Sequence, residues 1–139
     1  TAVLKILDYI PVKVFLKDAE GRMLIVNKAV LEAHNSSREE IIGMTDFDLI
    51  KDQNLAQKLQ QEEQHIIKSG NPANEIYQEK LNNSGVMLDS TKYPFFIDYL
   101  EETGILGIQI DISELVNSKE AVLKQNVELD IANQTKNKL

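Results

Sequence analysis

Ala2, Val3, Ile6, Leu7 and Ile10 recur at three- and four-residue spacing, so they form one apolar stripe that stops at Pro11. The spacing predicts an amphipathic helix over residues 2–9. Residues 12–17 and 22–26 are β-rich and flank Asp18-Ala-Glu-Gly21, a tight connection, which predicts a first hairpin. Asn27 can cap a short helix over 28–33, and Ser37 with Glu40 forms a capping box for a second. Gly43 interrupts the pattern, and residues 46–50 can make one more turn. Asp52 can then cap the longest central helix, 53–69, which is closed by Ser69-Gly70-Asn71-Pro72. On it Leu55, Leu59 and Ile66 share a face.

The period changes in the second half. Residues 75–81, 86–97 and 104–112 read as three antiparallel strands, joined by Asn82-Asn-Ser-Gly85 and by the polar stretch 98–103. Ser113 can cap a final helix whose apolar residues Leu115, Val116, Val122, Leu123, Val127 and Leu129 spread over about half its circumference. Helices segregated from an antiparallel sheet make this an α+β chain. No repeat and no low-complexity segment is visible.

A length of 139 residues suits one core. The net charge of −7 leaves no basic face for nucleic acid or an anionic membrane. The absence of cysteine removes disulfides, thiolate metal sites and thiol nucleophiles, and agrees with a cytoplasmic setting. No apolar run reaches the roughly 20 residues that span a bilayer. The chain opens and stops within helical patterns, as expected of a piece of a longer protein, whose membrane anchor, where it has one, lies outside this segment.

The wording along this order resembles the PAS family. Pro11 to Asp18, then Gly21-Arg and Val26-Asn27, is similar to the strand, Asp-x-x-Gly turn, strand and helix-capping asparagine that open a PAS domain. Ser37 to Gly43 resembles the short-helix segment before the pocket, and Lys92-Tyr-Pro94 and Gly104 to Ser113 resemble the last two strands with their Asp-Ile-Ser ending. The resemblance implies a five-stranded antiparallel sheet with helices over a pocket face. It divides the chain into a leading helix (1–10), a PAS domain (11–113) and a signalling helix (114–139). The exit through Asp111-Ile-Ser113 is similar to the helix that enters the dimerisation and phosphoacceptor helix of a bacterial sensor histidine kinase, including hybrid kinases.

Each cofactor that this resemblance brings in has a residue test. Haem-binding relatives place an iron-ligating histidine near Leu59. His65 lies about 100° from the centre of the Leu55/Leu59/Ile66 face, and His34 stands near a helix end. Gln109 occupies the place of a flavin-bonding glutamine, but the reactive cysteine has no counterpart in Gly43-Met-Thr-Asp-Phe47, and the partner asparagines fall near Lys80 and Leu88. Neither haem nor flavin is expected, nor any metal. Asp46 and Asp48 invite a paired-carboxylate reading, yet no nucleophile or phosphate-cradling loop accompanies them, and a helix cap explains Asp46 more simply. The segment is therefore expected to be non-catalytic.

Strand alternation anchored on Gln109 puts Ile105 and Gly107 on the inner face, and Leu106, Ile108 and Ile110 on the outer one. Leu88, Ser90 and Lys92 face inward by the same parity. Lys92 there needs an anionic partner: it pairs with an acidic residue of the chain or emerges at the sheet edge, or else with Ser90 and Gln109 it reads a carboxylate or other polar group of a small ligand. The candidate pocket comprises Phe47, Ile50, Leu55, Leu59, Ile66, Leu88, Ser90, Lys92, Ile105, Gly107 and Gln109. Asp111 and Ser113 are the candidate coupling residues. Val3, Leu7 and Ile10 with Leu115, Val122 and Leu129 are candidate dimer contacts, and the leading and exit helices are expected to cover the outer face. The expected role is an input domain for a small ligand or partner, feeding a homodimeric kinase and its response regulator. The alternatives are a ligand-free interaction module, or input to a diguanylate cyclase or chemoreceptor.

Overall fold

Turn and cap chemistry divides the chain where the sequence predicts. Asp18 Oδ1 accepts from the backbone N–H of Glu20 and of Arg22, each at 2.9 Å, and Gly21 takes the positive φ of 87° that closes the turn. This joins β1 (Lys13–Lys17) to β2 (Met23–Val26). The computed structural model describes residues 2–79 and 86–137; the predicted Asn82-to-Gly85 turn lies outside them. α1 (Ala2–Tyr9) precedes the hairpin, and α2 (Lys28–His34), α3 (Arg38–Ile41), α4 (Asp46–Leu49) and α5 (Gln53–Ser69) come after it. Then come β3 (Ala73–Glu79), β4 (Val86–Ile97), a 3₁₀ turn at Asp98–Leu100, β5 (Glu102–Asp111) and α6 (Ser113–Asn137).

The five strands form an antiparallel sheet of order β2-β1-β5-β4-β3, the α+β PAS fold expected from the sequence. The central pair has Lys13 opposite Gln109, Phe15 opposite Gly107 and Lys17 opposite Ile105. Directly opposed residues share a face, so Lys13, Phe15 and Lys17 stand on the inner side with Ile105, Gly107 and Gln109. A register shift between Leu16 and Lys17 in the β1–β2 pairing marks a bulge there.

By contact density the chain forms two units, Thr1–Ile76 with Asp89–Ile110, and Tyr77–Leu88 with Asp111–Leu139. In the first, Met23, Val26, Val30 and Ile41 make an apolar cluster on which Phe15, Leu31 and Leu49 pack. Asn27, wholly buried, ties three elements together. Its Oδ1 accepts from Val14 N at 3.1 Å and Val30 N at 3.4 Å, and its Nδ2 donates to the carbonyls of Leu7 (3.1 Å) and Val12 (2.7 Å). α1 is thereby fixed beside the start of α2, where Asp8 Oδ1 also accepts from Lys28 N and Arg38 Nη2. The second unit contains α6, 25 residues long, with Leu115, Val122, Leu123, Val127, Leu129 and Ile131 each more than half exposed.

Three local expectations need correction. Thr45, rather than Asp46, caps α4: Asp48 Oδ2 accepts from Thr45 N at 3.0 Å and closes a capping box, which releases Asp46 for another partner. Ser113 is the first residue of α6 rather than its cap, and Asp111 Oδ1 accepts from Ser113 N at 2.9 Å. The buried face of α5 is Ala56, Glu63 and Ile66, with Leu59 half-buried beside it, so Leu55 falls to the rim and is 42% exposed.

Two glycines mark where backbone and side chains approach most closely. A Cβ on Gly104 would lie 2.0 Å from the Lys17 carbonyl oxygen, whereas one on Gly107 would lie 2.0 Å from Cζ of the Phe15 ring. A backbone oxygen held in a ladder cannot yield, but a side-chain ring can swing aside at its Cα–Cβ bond. Gly104→Ala is therefore expected to cost about 3 kcal/mol, and Gly107→Ala roughly half that. Urea unfolding of the two variants checks the order.

Candidate functional site

The inner face of the sheet carries a buried ion network instead of a uniform apolar lining. Strand alternation turns Lys17 inward at the end of β1, and the same alternation turns Lys92 inward on β4. Glu63 reaches them from the buried face of α5, seven residues and about two turns after Ala56. Lys17 Nζ donates to both Glu63 oxygens, at 3.0 and 3.1 Å, and to Asp46 Oδ2 at 2.7 Å. Lys92 Nζ donates to Glu63 Oε2 at 2.9 Å, and Glu62 Oε1 stands 3.4 Å away. Lys17, Glu63 and Lys92 are each less than one-tenth exposed.

One carboxylate therefore bridges two ammonium groups that come from different strands. Such a network persists in low dielectric only when each charge is paired and its remaining hydrogen-bonding positions are used. Lys17 also sits 5.2 Å from the centroid of the Phe15 ring, a cation–π contact. Among the described residues no buried side-chain polar atom lacks a partner. Burial pulls the Lys92 ammonium toward deprotonation, but the Glu63 charge and hydrogen bond, with Glu62 and Asp46 behind them, outweigh it and raise its pKa above the ordinary lysine value.

A cavity of about 20 Å³, room for about one water, adjoins the network and opens past Asp46, Phe47, Gln60, Glu63 and Gln64, with Ile105 among its lining residues. A larger apolar groove of about 220 Å³ lies elsewhere, between α1 and β2.

The structure places the sequence-predicted pocket residues unevenly. Ile66, Leu88, Lys92, Ile105 and Gly107 are buried, Ile50, Leu59, Ser90 and Gln109 half-buried, and Phe47 stands 37% exposed at the small cavity. Lys92 has the anionic partner that its inward position requires, and it comes from the chain: its ammonium reaches Glu63 and Glu62 instead of joining Ser90 and Gln109. Ser90 uses its carbonyl to accept from Asn74 Nδ2. Asp46 and Asp48 diverge, one to Lys17 and the other to Thr45, and His65 is exposed. Among the described residues no group of acidic or histidine side chains can hold a metal.

Sequence reasoning missed Lys17, the bridging role of Glu63, and the pairing of Asp46 with Lys17. Glu63 was hidden in the polar run Gln60 to Gln64, and its spacing from Ala56 and Ile66 is the signal that finds it.

Asp111 and Ser113 meet the neighbouring strand within the second unit. Ser113 Oγ accepts from Met87 N at 2.9 Å, and Ile112 N donates to the Met87 carbonyl at 2.9 Å. The first residues of α6 are thus bonded to the start of β4 by backbone and side chain together.

A family model described as a PAS domain matches residues 11–114. The chain belongs to the PAS family. Among solved structures, this PAS domain is similar to that of Bordetella pertussis BvgS, at 22% identity and TM-score 0.68, covering 89% of this chain and 96% of that one. A VqmA–ligand–DNA complex from Vibrio cholerae matches at 21% identity and TM-score 0.67, over 81% of this chain and 51% of that one. The PAS domain of histidine kinase ThkA matches at 13% identity and TM-score 0.57, over 72% and 98%. At these identities the likeness is one of fold, and the PAS domain spans about half of the VqmA chain. No match was found among curated protein sequences.

The ion network sets two measurable expectations. Glu63→Ala leaves Lys92 buried with only the outlying Glu62 nearby and is expected to destabilise the domain by about 3–5 kcal/mol. The double variant Glu63→Met/Lys92→Met leaves Lys17 with Asp46 and should cost at least about 1 kcal/mol less than the sum of its two singles. Denaturant titration of the cycle measures this coupling.

Alkaline pH probes the same network from another side. Because the Lys92 pKa is raised on folding, the stability it confers is fully present below the unfolded lysine pKa and is lost as pH rises through the folded one. Melting temperatures are expected to show an alkaline fall beyond the ordinary lysine range that is smaller in Lys92→Met.

Proposed function

We propose that this PAS domain is the signal-input module of a two-component histidine kinase. In this reading a small ligand or partner acts at the inner sheet face around Lys92, and the change passes through Asp111-Ile-Ser113 into α6. The observation that carries the reading is the junction: Ser113 Oγ and the Ile112 amide both bond Met87, and Asp111 holds the Ser113 amide. A strand and a helix start joined by two short hydrogen bonds, with a third bracing the junction itself, do not shift independently, so displacement at the start of β4 is carried to the helix.

The helix that receives it has the right character. Leu115, Val122 and Leu129 repeat at seven residues, and all are exposed in the single chain. A second copy laid along this seam makes a homodimer of modest strength, which a modest input can move between packings. Val3 of α1 is 67% exposed, whereas Leu7 and Ile10 are half-buried, so α1 offers a smaller share of that interface. The phosphoacceptor, the kinase domain and the response regulator belong to the parent protein. The fold likeness to the histidine kinase ThkA PAS domain supports this parentage. The VqmA complex, with its ligand and DNA, supports the broader reading of a ligand-responsive module whose output is set by the domain attached to it. The net charge of −7 argues against this segment contacting DNA itself. No described helix is long and apolar enough to cross a membrane.

The test is autophosphorylation of the full-length protein with and without its stimulus. Asp111→Ala is expected to cost about 1 kcal/mol of stability, the value of a lost cap, while the stimulus-dependent change in phosphorylation falls several-fold. Full responsiveness in Asp111→Ala and Ser113→Ala alike rejects the coupling role.

A further inference from the structure

Glu63 is a carboxylate that the chain itself delivers to a site built from two lysines. Lys17 and Lys92 stand on β1 and β4, and their ammonium groups converge on its two oxygens at 2.9–3.1 Å. With Glu63 set aside, Lys17 keeps Asp46 at 2.7 Å, but Lys92 keeps only the more exposed Glu62 at 3.4 Å and lacks a close buried anion. Both ammonium groups would then have donors aimed at one empty point. The floor under that point is apolar: the Phe15 ring lies beside Lys17, and Ile105 is buried opposite it in the ladder. Glu63 also lines the small cavity that opens past Phe47 and Gln60, so it stands both in the site and at its entrance.

We propose that Glu63 is a tethered stand-in for the ligand, and that the domain takes a small organic carboxylate whose anionic group replaces that of Glu63 between Lys17 and Lys92. The inference rests on reading the domain as a ligand-responsive input, and names the ligand's chemistry. Replacing one carboxylate by another keeps the lysines neutralised, and the displaced Glu63 carboxylate turns outward through the opening it lines beside Gln60 and Gln64 to reach water, so no uncompensated charge is left in low dielectric. An uncharged ligand of equal shape cannot do this. Displacement also breaks the Glu63 ion pairs that hold α5 to β1 and, beside Glu62, to β4, which is a mechanical event at the sheet and not merely the filling of a void. Recognition is therefore competitive: affinity equals what the free carboxylate gains over its tethered rival, and an apolar body packing on Phe15, Phe47 and Ile105 supplies the difference.

Propionate and propionamide, matched in shape and different in charge, provide the test when titrated at constant ionic strength into the intact chain and into Glu63→Ala. Melting temperature and the NMR signals of the lysine ammonium groups are the readouts. The intact chain is expected to respond saturably to propionate and not to propionamide. Lys92→Met should weaken that response roughly tenfold or more, the value of one charge-assisted hydrogen bond. Glu63→Ala should bind propionate at least about tenfold more tightly, because the internal competitor is gone. If Glu63→Ala does not fold, Glu63→Gln, which keeps the volume and loses the charge, is expected to show the same tightening. Binding of propionate by the Glu63 variants and never by the intact chain overturns the proposal, since Glu63 is then a permanent part of the core. Equal responses to propionate and propionamide overturn it as well. Both results leave the input reading standing, because a partner or an uncharged ligand can still serve it. Propionate binding at Lys92 that leaves the full-length protein's output unchanged has the opposite meaning: it rejects the input reading and keeps the carboxylate site.

Discussion

The constraint on which the inner face of this domain depends is charge neutrality in a place that water barely reaches. Lys17 and Lys92 are brought inward by strand alternation, and Glu63 is the carboxylate that touches both. Unpaired, either lysine would have to give up its proton or leave the interior. Paired, they make α5 a strut between two strands that are not sheet neighbours, since β5 lies between β1 and β4. The buried position of Glu63 on α5, the bulge beside Lys17 and the departure of Asp46 from its own helix cap all belong to the same five-charge arrangement.

The first unit thus has a core of two kinds. Around Met23, Val26, Val30 and Ile41 the packing is apolar, nondirectional and insensitive to pH. Around Glu63 it is directional, and its worth changes sign with the state of any single member, because an intact network is tolerated while a broken one is costly. Phe15 belongs to both, with its ring against the apolar cluster and beside the Lys17 ammonium, and Gly107 provides the clearance beneath it. A domain built this way keeps its fold through the first kind of packing while the second can be rearranged.

Much of the fold was legible because its boundaries are written in local chemistry. Asp18 and Gly21 make the turn, Asn27, Ser37 and Asp52 cap the helices, and Gly70 ends α5 in the left-handed conformation, all as their residue types indicate. The inward face of β5 came from parity anchored on Gln109, and so did the inward direction of Lys92. Lys17 and Glu63 were less visible for a physical reason. A lysine closing a short strand and a glutamate within a run of glutamines are ordinarily solvated, and only partners distant in sequence, 29 and 46 residues away, turn them inward. Thr45 shows the opposite case: a local cap was present, but Asp46 beside it offered an equally good one, and the contest was decided by Lys17.

The anchoring of α6 has a consequence of scale. Twenty-five residues at 1.5 Å each make a rod of about 37 Å, fixed at its base by Ser113, Ile112 and Met87. A tilt of about 5° at that base carries the far end of such a rod through about 3 Å, comparable to the offset between alternative packings of two facing helices. Hydrogen bonds at the first turn change by only tenths of an ångström in such a movement. The junction therefore acts as the short arm of a lever, and the length of the helix sets its gain.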